Sequence, residues 1–290
     1  MIEKKFWGIL ALGALLLLAG CTADEDAEQS RTLVPIELTA AVLDEGGAVG
    51  STRAGATVQS THFVSGEPIY VTFTNSPAQV THASAVYRSA GASGRMLIGD
   101  NERPCFTPTG TTTSVQGYHG RSGGVEGDQV TNSTTSFTVA TDQSTDAAYQ
   151  ASDLMYASAI SLTKSGDVTT GVLSFTHKMS KITLEITAGD GVSAITGVYI
   201  IGGDKTVALS GGNCTLGATS DALSDASPIT VWTGSASAVD CAALIPPQTI
   251  AAGTAFLKVV TNAVTVTYTL PEAQTFPEGN YYSYAILVSH

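Results

Sequence analysis

Cys21 is the residue whose neighbours most nearly prescribe a reaction. It follows Leu18–Ala19–Gly20, and that tetrad matches the bacterial lipobox, in which the cysteine thiol accepts a diacylglycerol and signal peptidase II cuts just before it. Upstream, Lys4 and Lys5 supply a short positive region and Phe6 to Leu18 an apolar run. Charge, apolar core and small-residue cleavage site in that order mark a secretory signal. The run is shorter than the roughly 20 residues of a comfortable membrane span. Residues 1–20 therefore read as a lipoprotein signal peptide. The chain is expected to be held to a membrane through the lipid on Cys21, with residues 21–33 as an acidic tether. Asp24, Glu25 and Asp26 close behind the cysteine resemble the signal that sends lipoproteins to the cell surface.

Other chemistry is sparse. The histidines, His62, His82, His119, His177 and His290, have no metal-ligand spacing to one another or to a cysteine. A phosphate-binding glycine loop and His-Glu-x-x-His are missing from the sequence. The reading is accordingly not an enzyme, with no metal and no cofactor. His177 falls on an apolar strand face and reads as a packed, hydrogen-bonded residue. Asp153 and Asp204 lie near turns, where short carboxylates bond the backbone. Tyr118, Tyr156, Trp232 and Tyr282 are the aromatics from which a sugar platform could be assembled, although scattered aromatics more often belong to the core. A formal net charge of −12 with no basic cluster argues against nucleic acid as a partner. Beyond Cys21 the cysteines are Cys105, Cys214 and Cys241, an odd set that cannot all pair. Cys214 and Cys241 read either as a bridge or as two small buried side chains.

The elements that must position these residues read as strands. Val34, Ile36, Leu38, Ala40 and Val42 alternate with mostly polar partners and line one face of an extended segment. Gly46, Gly47 and Gly50 break it, and Arg53 follows. Ile69, Val71 and Phe73 give the next strand, weaker ones lie near Ala85–Tyr87 and Met96–Ile98, and Ser136–Val139 gives another. Ala147 to Ala157 reads as a helical turn or a loop. In the second half Leu173, Phe175, His177 and Met179 share one parity and Ile182, Leu184 and Ile186 the other, which asks for a bulge or bend near Ser180–Lys181. Val198–Ile201 and Val207–Leu209 flank Gly202–Lys205 as a hairpin, and Phe256–Val260 and Val264–Leu270 flank Thr261–Ala263 as a second. Tyr282, Tyr284, Ile286 and Val288 form a last strand. Many strands at short intervals predict an all-β sandwich or open barrel. The change from sparse to dense strands places a boundary near residue 168, giving domains 34–168 and 169–290.

In order along the chain stand Thr52–Arg53–Ala54, Ser152–Asp153–Leu154–Met155–Tyr156–Ala157, Leu173–Ser174–Phe175–Thr176–His177–Lys178–Met179–Ser180–Lys181–Ile182, Ile245–Pro246–Pro247–Gln248–Thr249–Ile250 and Gly279–Asn280–Tyr281–Tyr282. With these pieces the chain resembles, from about Val34 to its end, the fimbrillin family of Bacteroidales lipoproteins, the subunits of type V pili. The resemblance implies two tandem β-sandwich-like domains of transthyretin-like or Greek-key type and no enzyme activity. It implies an outer-membrane lipoprotein precursor, an Arg-specific maturation protease that removes the N-terminal strand, and assembly with other fimbrial subunits by strand exchange into a fimbria.

The residues fit that expectation in their own right. Val34, Ile36, Leu38, Ala40 and Val42 make a removable amphipathic strand, and a glycine-rich loop with small residues is where proteolysis concentrates. Cleavage between Arg53 and Ala54 would free the strand, whereas cleavage after Arg31 would leave it attached. Loss of the strand would open an apolar groove with unpaired backbone groups, a template for another strand. If strand 282–288 belongs to the body, the subunit has a groove but no strand to donate, which favours a terminal, tip-like place. A surface-anchored glycan-binding lipoprotein is the alternative reading of the same features.

Overall fold

The computed structural model describes residues 33–43, 62–74, 78–216 and 221–290. Cys21, Arg53 and Ala54 lie outside these residues. The chain is all-β, as its alternation predicts. The first half holds β1 (Val34–Val42), β2 (Pro68–Thr74), β3 (Ser84–Ser89), β4 (Met96–Leu97), β5 (Cys105–Phe106), β6 (Thr112–His119) and β7 (Ser136–Thr138). The short helix α1 (Asp146–Ala151) follows, capped by Thr145, whose hydroxyl accepts from the Ala148 N–H. Then come β8 (Met155–Thr163), β9 (Thr169–His177), β10 (Ser180–Ala188), β11 (Ile195–Ile200), β12 (Thr206–Ser210), β13 (Asn213–Leu216) and β14 (Ile229–Ala236). The rest is β15 (Ala238–Ile245), β16 (Gln248–Ile250), β17 (Ala255–Thr261), β18 (Thr265–Thr269), β19 (Gln274–Phe276) and β20 (Tyr281–Val288).

One sheet runs β4-β3-β2-β6-β8-β9-β1-β5. Its inward side chains, among them Ile36, Leu38, Ile69, Val71, Tyr87, Val115, Leu173 and Phe175, form a single core. Two further sheets, β15-β10-β20 and β14-β11-β17-β18, share a second core built from Ile182, Leu184, Val198, Ile200, Val231, Phe256 and Val288. The two cores interleave in sequence. Strand β9 completes the first sheet, while Phe137, Val139, Tyr149 and Leu154 pack into the second core. The division at residue 168 therefore stays a proposal about domains, alongside cores that exchange segments.

The parity change after β9 has its cause here. Leu173 and Phe175 point into the first core, whereas Met179, Ile182 and Leu184 point into the second. The chain breaks at Lys178–Met179, between β9 and β10, and passes from one core to the other.

One predicted hairpin forms and one does not. β17 and β18 pair antiparallel, from Val260↔Thr265 to Ala255↔Thr269. The expected Val198–Leu209 hairpin is corrected: β11 is flanked by β14 and β17, and β12 pairs instead with β13 and β7. Gly202–Lys205 is sound turn chemistry, but both edges of β11 are taken by longer strands that bury Val198 and Ile200.

Candidate functional site

The candidate site is β1 and the slot that holds it. The alternation of its sequence becomes burial: Val34, Ile36, Leu38, Ala40 and Val42 are each no more than 8% exposed. At roughly 1.5–3 kcal/mol for each large side chain, the buried face contributes on the order of 10 kcal/mol gross.

Both edges of β1 are held. On one side it runs parallel to β9 over seven positions, Ile36↔Thr169 to Val42↔Phe175, and the Leu43 N–H bonds the Phe175 carbonyl at 2.8 Å. On the other side the even-numbered residues bond outward, Ile36 N–H to the Pro104 carbonyl at 2.9 Å and Ala40 N–H to the Gly94 carbonyl at 2.7 Å. Val34 and Pro35 pair with Phe106 and Cys105 of β5. Gly94 has φ +68°, and a Cβ there would come within 2.8 Å of the Ala40 carbonyl oxygen, so this clamp needs a glycine. Between the two clamps the edge of β1 faces a cleft of about 480 Å³, with Ile36, Leu38, Met96 and Ile98 among its apolar walls and Arg95, Arg103 and Thr39 among its polar ones.

The chain on either side of residues 44–61 converges on one side chain. Leu43 bonds the Phe175 backbone, and Phe63 packs edge-on against the Phe175 ring with centroids 5.0 Å apart. Leu43 and Phe63, the described residues on either side, thus meet the body at the same place.

Beside Phe63 lies a buried ionic group that sequence reasoning missed. His119 is 1% exposed; its Nε2 lies 3.1 Å from Glu67 Oε2, its Nδ1 lies 2.8 Å from the Asp153 carbonyl, and Arg121 is 3.8 Å from Glu67. The expected hydrogen bond of His177 is present, and its partner is the Asp153 side chain at 2.8 Å rather than backbone. Burial alone would raise the Glu67 carboxyl, but the hydrogen bond to His119 and the charges of His119, Arg121 and Arg88 outweigh it and hold the carboxyl below its ordinary value of 4.5. A folded-state pKa below the unfolded one gives stability that is complete above the unfolded value and lost as pH falls through the folded value. Glu67→Gln should lower stability by about 2 kcal/mol near neutrality. Melting curves from pH 7 to pH 3 check it: the variant's deficit should shrink as the wild-type carboxylate protonates, and a constant deficit would assign the effect to packing alone.

The remaining residues singled out from sequence do not gather into a site. Tyr118 and Tyr156 pack on each other with centroids 5.2 Å apart, whereas Tyr282 packs on Phe276 at 4.8 Å and Trp232 lies over Gly234, so the four aromatics share no single platform. Asp204 Oδ1 is buried without a bonding partner, and burial followed by the charge of Asp221 raises its carboxyl. Cys214 is a free thiol, pushed up to about 12 by burial and then by Glu278, so it forms no bridge to Cys241, which packs in the second core. Glu67, Gly94, Pro104 and Phe63 escaped notice because no local pattern connects them to a strand that lies far from them in sequence.

A family model described as fimbrillin-like matches residues 52–290. The chain is similar in fold to a candidate cell adhesion protein from Bacteroides ovatus, with 19% identity, 89% of this chain and 93% of that one covered, and a TM-score of 0.61. A candidate cell adhesion protein from Bacteroides uniformis gives 18% identity, 89% and 94% coverage and a TM-score of 0.59. One from Bacteroides fragilis gives 14% identity, 89% and 93% coverage and a TM-score of 0.51. No curated protein sequence matches the chain.

Proposed function

The chain belongs to the fimbrillin-like family, of fimbrial adhesion type and structural rather than catalytic in role, and from that premise we propose that it is exported as a lipoprotein and assembled by strand replacement at β1. In this reading the lipid on Cys21 carries the precursor to the outer membrane, exposed at the cell surface. An Arg-specific protease cuts between Arg53 and Ala54. β1 then leaves, and a strand from another fimbrial subunit takes its slot.

The observation that carries the reading is the way β1 is bound. It contributes a full set of buried side chains, it is hydrogen-bonded along both edges, and the described residues flanking positions 44–61 both meet Phe175. A strand so placed can be lost without unthreading any other element, and its loss uncovers apolar side chains together with the unpaired main chain of β9. Five to seven alternating contacts and a row of main-chain bonds are what strand addition to a sheet uses.

A terminal place in the fibre is part of the proposal. It is supported by the commitment of β20 to its own body, where β20 pairs with β10 over eight positions.

Mass spectrometry of protein shed from the cell surface tests the scheme. The mature N-terminus should be Ala54, with acylated Cys21 found only in the precursor. Cys21→Ser should abolish lipid labelling and leave unprocessed chain. A fimbria-incorporated chain that still begins at acylated Cys21 would remove the processing step and leave β1 an ordinary first strand.

A further inference from the structure

The outward edge of β20 is bare. The Lys181 N–H bonds the Asn280 carbonyl at 2.9 Å and the Gly189 N–H bonds the Val288 carbonyl at 2.7 Å, so the even-numbered residues of this stretch turn their main chain toward β10. Successive residues of a strand present these groups to opposite sides. The N–H and C=O groups of Tyr281, Ser283, Ala285 and Leu287 therefore face away, and among the described residues no strand lies beyond them. Most other sheet ends are short: β4 and β5 have two residues each and β13 has four. β15, at the far end of the same sheet, carries Asp240. β14 is as long and also lacks charge and proline, but the chain at Thr141 and Gln143 bonds the outer side of its Thr230; β20 is eight residues long, contains neither charge nor proline and has no such cover among the described residues. An edge with that combination invites another strand.

We infer that β20 is a homotypic docking edge: two copies of this chain pair antiparallel through their C-terminal strands, extending β15-β10-β20 into a six-stranded sheet about a two-fold axis.

The occupant follows from self-complementarity. With the axis at Tyr284, Tyr281 faces the second copy's Leu287, and Ser283 faces its Ala285. Every such pair is odd-numbered, so each brings free donors and acceptors to free acceptors and donors. The side chains match as well. Leu287 is 70% exposed, the largest value among the large apolar side chains of the described residues, and it meets the partly buried Tyr281 at both ends of the strand pair. Small exposed Ser283 and Ala285 meet in the middle. The charged neighbours on β10, Lys181 beside Tyr281 and Glu185 beside Ala285, stay one strand back in each copy, so the axis brings no like charges together. A two-fold contact of this kind closes on itself and uses a surface separate from the β1 slot. It therefore holds whether or not strand replacement at β1 occurs.

Sedimentation velocity of the chain without its first 21 residues, β1 retained, reads the outcome over a dilution series. The wild type should pass from monomer to dimer with rising concentration. Ala285→Pro removes one outward N–H at an edge position that tolerates proline, so it should abolish the dimer and leave the circular dichroism spectrum and melting temperature unchanged. Leu287→Asp, which touches no ladder bond, should weaken the dimer at least tenfold and decides the matter if the proline variant misfolds. Ser283→Cys mixed with Ala285→Cys should give a disulfide-linked heterodimer on oxidation, which fixes the register. A wild type that stays monomeric throughout, or a dimer that survives in both folded edge variants, overturns the inference. A cross-link to a different fimbrial subunit in place of a second copy also overturns it.

Discussion

A chain carrying Arg53→Ala should keep strand β1 and take up no donor strand, whereas the wild-type chain, once cut after Arg53, should lose β1 and accept a strand from another fimbrial subunit. The expected effect is all-or-none because of what β1 covers. Its five inward side chains contribute on the order of 10 kcal/mol gross, comparable to the net stability of a whole domain. While the strand is attached, that contribution is intramolecular and the groove on β9 stays closed. After cleavage the same contacts are open to any strand with matching alternation. Size-exclusion chromatography of both chains, each treated with an Arg-specific protease and mixed with a strand-donating fimbrial subunit, gives the readout, with N-terminal sequencing of the assembled fraction. Assembly of the Arg53→Ala chain with a free N-terminus at Ala54 would show that another bond is cut.

Deleting residues 281–290 should prevent the C-terminal half from folding. β20 is a structural member of its sheet. Val288 is 2% exposed in the second core, Tyr282 packs edge-on against Phe276, and Tyr284 packs on Phe256 at 6.2 Å. Without β20, β10 keeps only β15 as a neighbour and two phenylalanines lose their cover. Losing several half-buried aromatic and aliphatic side chains at about 1–3 kcal/mol each exceeds what a typical domain holds in reserve. Soluble yield and tryptophan fluorescence of the truncated chain measure this. A stable truncated monomer that has lost only the ability to assemble would make β20 a detachable donor and end the case for a terminal place in the fibre.

The parts legible in the sequence are those where one strand faces one core with apolar side chains at alternate positions. β1, β10 and β20 satisfy that condition. β6 does not. Its inward positions include Thr113 and Gly117, its register shifts between Val115 and Gly117, and its tyrosine and histidine follow the shift, so no simple alternation survives. β9 and β10 read as one segment with a phase error because two cores, invisible in sequence, claim its two ends. Strand β1 could be read because its pattern is local. The clamps at Gly94 and Pro104 and the Glu67–His119 pair could not be, since each is set by contacts between elements brought together only by the fold.

The convergence of Leu43 and Phe63 on Phe175 also fixes the competition that any incoming strand faces. Because Leu43 and Phe63 meet at one point, the uncut chain keeps β1 beside its own slot, where a covalent link gives an effective concentration of roughly millimolar. A donor strand present at far lower concentration loses to it by mass action, however well its side chains fit. One cut in that link removes the advantage without altering a single contact, because the released strand is diluted into the surrounding volume and no longer returns at a unimolecular rate. The protease in this scheme therefore acts on concentration rather than on structure, and the same groove that was inert a moment earlier becomes a site for which subunits compete.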